Sequence, residues 1–90
     1  MIVELYTSSA TGMLKIKKDQ AALKFLLEAK KIQYIEYDVA SDTEKREKMK
    51  KSSGVSTLPQ LFINDVYAGD YDHLAELEEN NEFITLFQNK

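Results

Sequence analysis

The feature that most constrains the fold of this chain is the alternation of short apolar segments with longer segments of helical pattern. Residues 2–6 are rich in β-branched and aromatic side chains and are predicted to form a buried strand. Residues 15–31 contain no glycine or proline and repeat apolar side chains at helical spacing, which predicts a helix. Residues 32–39 alternate apolar and polar side chains, as a second strand does. This order indicates a β-α-β unit.

The segment after the second strand has the signals of a short helix that lies at the periphery. Ser41 and Glu44 have the spacing of a capping box, with Ser41 as the predicted N-cap. The helix is expected to run to about Lys51 and to end near Gly54. Because Met49 is its one large apolar residue, it can bury only a narrow face.

The last third of the chain is predicted to form a hairpin followed by helical segments. Residues 60–63 and 66–68 are two short strands around the turn pair Asn64-Asp65. Gly69-Asp70 is expected to end the second of these strands. The remainder is helical, with an interruption at Asn80-Asn81.

The order β-α-β-α-β-β-α predicts an α/β domain of thioredoxin-like type, with three layers and a four-stranded mixed sheet in the middle. A chain of 90 residues has room for one hydrophobic core, so residues 1–90 are predicted to be a single domain. An apolar content of 43% argues against disorder.

The chain contains no cysteine, which excludes disulfides, cysteine-based zinc sites and any thiol chemistry. Small secreted domains usually need such cross-links, so a cytoplasmic location is expected. No apolar run approaches the roughly 20 residues of a membrane helix, and no membrane association is expected. A net charge of −3 argues against nucleic acid as a ligand.

Four local patterns, in order along nearly the whole chain, resemble those of a glutaredoxin without its thiols. They are the strand at residues 2–6 with the polar loop 7–12, the junction at residues 30–34, the tripeptide Leu58-Pro59-Gln60, and the turn at residues 67–72. More closely, the chain resembles the SH3-domain-binding glutamic-acid-rich-like family, which are small cysteine-poor relatives of glutaredoxin.

The resemblance implies where a redox site would lie and what has replaced it. Thr11 stands at about the position of the attacking thiolate, which a helix N-terminus would stabilise. A threonine hydroxyl has no accessible anion near neutral pH, so no enzyme activity is expected. Pro59 corresponds to a proline that opens the third strand, and the resemblance implies a cis Leu58–Pro59 bond. A proline that simply begins a strand in trans is the alternative.

The turn at Gly69 and Asp70 corresponds to one half of a glutathione site. Backbone N–H groups there can hold a carboxylate, although Asp70 or Asp72 more simply caps the following helix. Glutaredoxins usually have a lysine just before the thiol loop, whereas this chain has Thr7-Ser8-Ser9. The loss of both thiol and cation argues against glutathione as a ligand. No cofactor is expected.

The sequence therefore predicts a non-enzymatic domain that binds unidentified protein partners. Tyr71, on the turn beside the former redox loop, is the candidate anchor. The candidate binding edge consists of Ser9, Thr11, Gly12, Leu58, Pro59, Gly69, Asp70, Tyr71 and Asp72. SH3 domains are not expected as partners through a P-x-x-P motif, because the chain has one proline. The alternatives are a vestigial glutathione or small-molecule binder that uses the same groove, and a sequence engineered on this scaffold.

Overall fold

The computed structural model describes residues 1–88, and its helices and strands follow the predicted order. In chain order they are β1 (Val3–Thr7), α1 (Leu14–Ala29), β2 (Ile35–Asp38), α2 (Thr43–Ser53), β3 (Gln60–Ile63), β4 (Val66–Asp70), α3 (Tyr71–Glu79) and a 3₁₀ helix (Phe83–Phe87). Asn81 has a positive φ of 59° between the last two, so the predicted interruption is confirmed. No helix within residues 1–88 is long and apolar enough to cross a membrane.

The four strands form one mixed sheet in the order β2-β1-β3-β4. β1 is parallel to β2, which is consistent with α1 as a crossover helix between them. β3 is antiparallel to both β1 and β4, and the hairpin turns at Asn64 and Asp65, which both have positive φ. The predicted thioredoxin-like α/β fold is therefore confirmed.

Two strand boundaries differ from the sequence prediction by more than one residue. β2 begins at Ile35 rather than at Ile32, because Lys31 turns with φ 60° and the Ile32 N–H closes the end of α1 on the Leu27 carbonyl at 2.9 Å. β4 continues to Asp70 rather than ending at Ala68. A register shift lets the strand accommodate an extra residue, so Leu61 pairs with Gly69 and β4 leads directly into α3.

The N-cap of α2 is Asp42, not Ser41 as the capping-box pattern predicted. The Asp42 carboxylate accepts a hydrogen bond from the Lys45 N–H at 3.1 Å. The Ser41 hydroxyl instead donates to the Asp38 carbonyl at 3.2 Å, because it belongs to the turn that leaves β2. At the other end, Gly54 takes the left-handed conformation that was expected of a helix stop.

Two separate clusters of apolar side chains fill the space on the two faces of the sheet. The α1/α3 core contains Val3, Leu5, Leu23, Leu27, Leu61, Leu74 and Phe83. The α2 core contains Tyr6, Val39, Met49 and Phe62. The alternation of side chains along β1 and β3 divides residues between the two cores, because neighbours in a strand point to opposite faces.

Candidate functional site

The predicted binding edge coincides in part with a groove of about 360 Å³ at one end of the sheet. We call it the Pro59 groove; its lining residues are Met13, Lys15, Ile16, Asp19, Ser56, Thr57, Leu58, Asp70, Tyr71 and Asp72. Three segments form its walls: the N-cap and first two turns of α1, the loop before β3, and the junction of β4 with α3. Four of the predicted residues line this groove, namely Leu58, Asp70, Tyr71 and Asp72.

The polar loop at residues 7–12, where the resemblance places the thiols of a glutaredoxin, is hydrogen-bonded to β2 and α1. The Ser9 N–H and hydroxyl donate to the two carboxylate oxygens of Asp38, at 3.0 and 2.6 Å. The Gln20 side chain accepts from the Ser8 N–H at 2.8 Å and donates to the Ser8 carbonyl at 3.2 Å. Ser9, Thr11 and Gly12 therefore belong to the predicted edge in sequence but do not line the groove.

These contacts also change the acidity of Asp38. The Ser9 hydroxyl and N–H, together with the Ala40 N–H, lower the pKa of this carboxyl below its usual value, because hydrogen bonds to the charged form favour it. The carboxylate is thus used to close the loop onto the end of β2.

The Pro59 groove contains a lysine, although the segment Thr7-Ser8-Ser9, where a glutaredoxin usually has one, does not. Lys15, in the first turn of α1, contacts Asp19 at 2.6 Å and Asp72 at 3.3 Å. Hydrogen bonds to Asp19 and then Asp72 raise the pKa of Lys15. The lysine therefore connects α1 to the start of α3, and the groove contains three aspartates for this one lysine.

The β4–α3 junction fixes one wall of the groove. The Asp70 carboxylate accepts a hydrogen bond from the His73 N–H at 3.1 Å, so its role as a helix cap is confirmed. Gly69 is buried, with φ 141°, and a Cβ there would lie 2.6 Å from Cδ2 of His73. Only glycine fits this position without strain.

The opposite wall is the loop before β3, where the Leu58–Pro59 peptide bond is cis as expected. Pro59 is buried behind the groove rather than lining it. The buried amide of Gln60 donates to the carbonyls of Val55 and Thr57, at 3.1 and 2.8 Å. These two bonds hold the loop against the sheet. The sequence did not predict this role of Gln60, because no local pattern indicates that a strand side chain will bond to carbonyls of the preceding loop.

The groove combines an apolar surface with an acidic rim. Met13, at the N-cap of α1, is 61% exposed and lies at its mouth. Tyr71 is half-buried, packs against the α1/α3 core and also faces the groove. Within residues 1–88 no cluster of histidine, aspartate or glutamate has the arrangement of a metal site. The groove thus offers an apolar surface and a charged rim, and it contains no cysteine.

A family model described as SH3-binding, glutamic acid-rich protein matches residues 1–89. The chain belongs to this family. Membership agrees with the resemblance that the sequence motifs carried, and it sets the chain among glutaredoxin-like proteins. The family's name refers to SH3 binding, yet the single proline of this member is buried at the start of β3.

Solved structures with similar folds include both actin-interacting and redox proteins. The actin interacting protein Aip5 of C. albicans is 24% identical, with a TM-score of 0.80 over 94% of this chain and 86% of that one. A glutaredoxin of Brucella melitensis is 31% identical, with a TM-score of 0.70 over 96% and 87%. The buckwheat glutaredoxin–glutathione complex is 14% identical, with a TM-score of 0.73 over 92% and 73%.

Proposed function

We propose that this member of the SH3-binding, glutamic acid-rich family is a non-enzymatic module that binds partner proteins in the Pro59 groove. The observation that carries the proposal is the groove itself, with a volume of about 360 Å³ and an apolar surface at the former redox edge. The chain has no cysteine with which to react there. Binding is the chemistry that remains.

The walls of the Pro59 groove are fixed before a partner arrives. Gln60 holds the loop before β3, Asp70 caps α3, and Lys15 joins α1 to Asp72. A surface that is already ordered loses less conformational entropy on association. This supports binding of a partner segment without rearrangement of the domain.

The charges of the groove favour a neutral or basic polypeptide over glutathione. Three aspartates line the groove, and its one lysine is paired with two of them. A glutathione carboxylate would meet this negative rim without a free cation to pair with. An extended segment with an apolar side chain against Met13 and a lysine or arginine near the rim is complementary to it.

Actin is a specific partner to test, because a protein of the same fold is named as actin-interacting. SH3 domains are a second, as the family name suggests. A P-x-x-P ligand is not available, since the one proline is buried and directly precedes β3. Any SH3 contact would therefore use another surface.

A cytoplasmic location stays a prediction, which imaging of the tagged chain tests.

A matched pair of variants tests the groove. Met13 and Leu14 are neighbours with similar exposure, 61% and 64%, but only Met13 lines the groove. Partner capture from extract of the source cells, and sedimentation with filamentous actin, are compared for wild type, Met13→Glu and Leu14→Glu. We expect Met13→Glu to lose the partner and Leu14→Glu to retain it. Equal recovery with both variants would contradict the proposal.

A glutathione titration followed by NMR tests the alternative that the groove binds glutathione rather than a protein. We expect no saturable shifts at sub-millimolar glutathione. Saturable shifts confined to Thr11, Leu58 and residues 70–72 would instead support a vestigial glutathione site.

A further inference from the structure

A second groove lies between α1 and α3 on the outer surface of the helical layer. We call it the Phe25 groove; it has a volume of about 310 Å³ and is lined by Ala22, Phe25, Leu26, Tyr71, Ala75, Glu78 and Glu79. Tyr71 separates it from the Pro59 groove and lines both. Apart from Tyr71, no residue that lines the Phe25 groove takes part in the proposed function.

Phe25 is the most exposed large apolar side chain of the described residues, at 74%. It lies on α1 between Leu23 and Leu27, which point into the core, and so projects from the opposite side of the helix. A single exposed apolar residue is ordinary. Here, however, it stands beside the apolar floor formed by Ala22, Leu26 and Ala75. Exposed aromatic side chains at the edge of such a depression are typical anchors for partners.

Two charged residues, Glu78 and Glu79, line this groove, and both are acidic residues of α3. Glu78 is paired with Lys30 at 3.1 Å, which links the ends of the two helices. Glu79 is exposed on the rim and has no ion pair among the described residues. A cation from outside would complement it.

We propose that the Phe25 groove binds the apolar face of a basic amphipathic helix from a partner protein. Two helices with an apolar trough between them offer the surface on which such a helix docks. A lysine or arginine flanking its apolar face would meet Glu79. A second copy of this chain is a competing occupant, which the experiment below distinguishes. An anionic membrane surface is disfavoured because Glu78 and Glu79 are acidic.

The test uses a display library of 18-residue peptides of helical pattern, selected on the full chain. The strongest binder is synthesised, and its dissociation constant is measured by fluorescence polarisation. We expect the enriched peptides to have a net positive charge and apolar residues at helical spacing. Phe25→Ala should weaken binding roughly tenfold or more, since it removes the central aromatic anchor. Alanine at this exposed helical position preserves the fold, which a thermal melt checks.

Charge variants and a variant of the other groove separate the possible outcomes. Glu79→Lys should weaken binding severalfold, whereas Glu47→Lys, on α2, should leave it unchanged. Met13→Glu should also leave the peptide affinity unchanged.

Failure to enrich any peptide, or an affinity insensitive to both Phe25→Ala and Glu79→Lys, would overturn the inference. Weakening by Met13→Glu alone would place the peptide in the Pro59 groove, which contradicts this inference and supports the proposed function. A concentration-dependent dimer abolished by Phe25→Ala would identify a second copy as the occupant and also contradict it.

Discussion

The two faces of the sheet are covered in different ways. On one face α1, α3 and the 3₁₀ helix enclose the seven buried residues of the α1/α3 core, and both grooves lie in this layer. On the other face, the α2 core has four buried residues, and Met49 is the one that α2 contributes. The first layer therefore contains the larger core and both of the proposed binding surfaces. The second layer is a highly charged helix that buries one large side chain, Met49, and that is capped by Asp42 and Gly54.

The aromatic side chains show the same difference. In the α2 core, Tyr6 packs against Tyr37 and Phe62 with ring centroids 5.2 Å apart, and Lys45 of α2 lies 4.1 Å from the centre of the Tyr37 ring. These contacts cover the second face with rings and a cation rather than with a wide apolar helix face. α2 exposes no large apolar side chain, whereas α1 in the first layer exposes Leu14 and Phe25.

Phe83→Ala should have the largest effect, because it opens a cavity in the α1/α3 core. Phe83 is fully buried, and such a truncation costs about 3–5 kcal/mol of the free energy of unfolding. The adjacent Ile84 is 36% exposed, so Ile84→Ala should cost about 1 kcal/mol or less. Urea unfolding measures both. Similar losses for the two variants would show that the 3₁₀ helix does not close this core.

Gly69→Ala should have the next largest effect. It combines a strained positive φ with a contact of 2.6 Å to the His73 ring, and should cost about 1–3 kcal/mol. Gly12→Ala is the matched control on the former thiol loop, because a Cβ there meets nothing within 4 Å. Thermal unfolding compares them. A neutral Gly69→Ala would mean that the β4–α3 junction is not fixed as described.

Asp42→Ala should destabilise the second layer by about 1 kcal/mol, because the first turn of α2 loses its cap. Ser41→Ala should change the free energy of unfolding by less than about 0.5 kcal/mol. Urea unfolding of the two variants decides between the two caps. The reverse order would restore Ser41 as the N-cap that the sequence pattern suggested.

The smallest expected effect concerns the pH dependence of the former thiol loop. The folded-state pKa of Asp38 is lowered, so its contribution to stability is present above the ordinary value of about 3.9 and is lost as the pH falls through the folded pKa. The difference in unfolding free energy between wild type and Asp38→Asn should therefore shrink between pH 5 and pH 2. Ser9→Ala should reduce the same pH-dependent difference. A difference that stays constant over this range would rule out this role of Asp38.

The sequence predicted the order of strands and helices because each has its own periodicity and ends at clear turn residues. It did not locate the bulge that extends β4, since an extra residue in a strand depends on the pairing with β3. Nor did it separate Ser41 from Asp42, because two adjacent residues both have side chains suited to a cap.

The lining of the Pro59 groove was predicted in part, for a related reason. Leu58 and residues 70–72 were predicted from the fold together with the resemblance to glutaredoxin. Lys15 and Asp19 were not predicted, because nothing in the sequence distinguishes them from the other charged residues of α1; the packing of α1 against α3 places them in the groove. The bonds of Ser9 to Asp38 connect segments 29 residues apart. Such contacts depend on tertiary structure and leave no local pattern.

The most direct test of the central claim is site-specific photo-crosslinking in extract of the source cells. A photoreactive amino acid is placed at Met13 in the Pro59 groove and, in a second protein, at Arg46 on α2. We predict a discrete crosslinked protein from position 13, competed by an excess of wild type, and none from position 46. No crosslink at position 13, or the same products from both positions, would contradict a partner site in the groove.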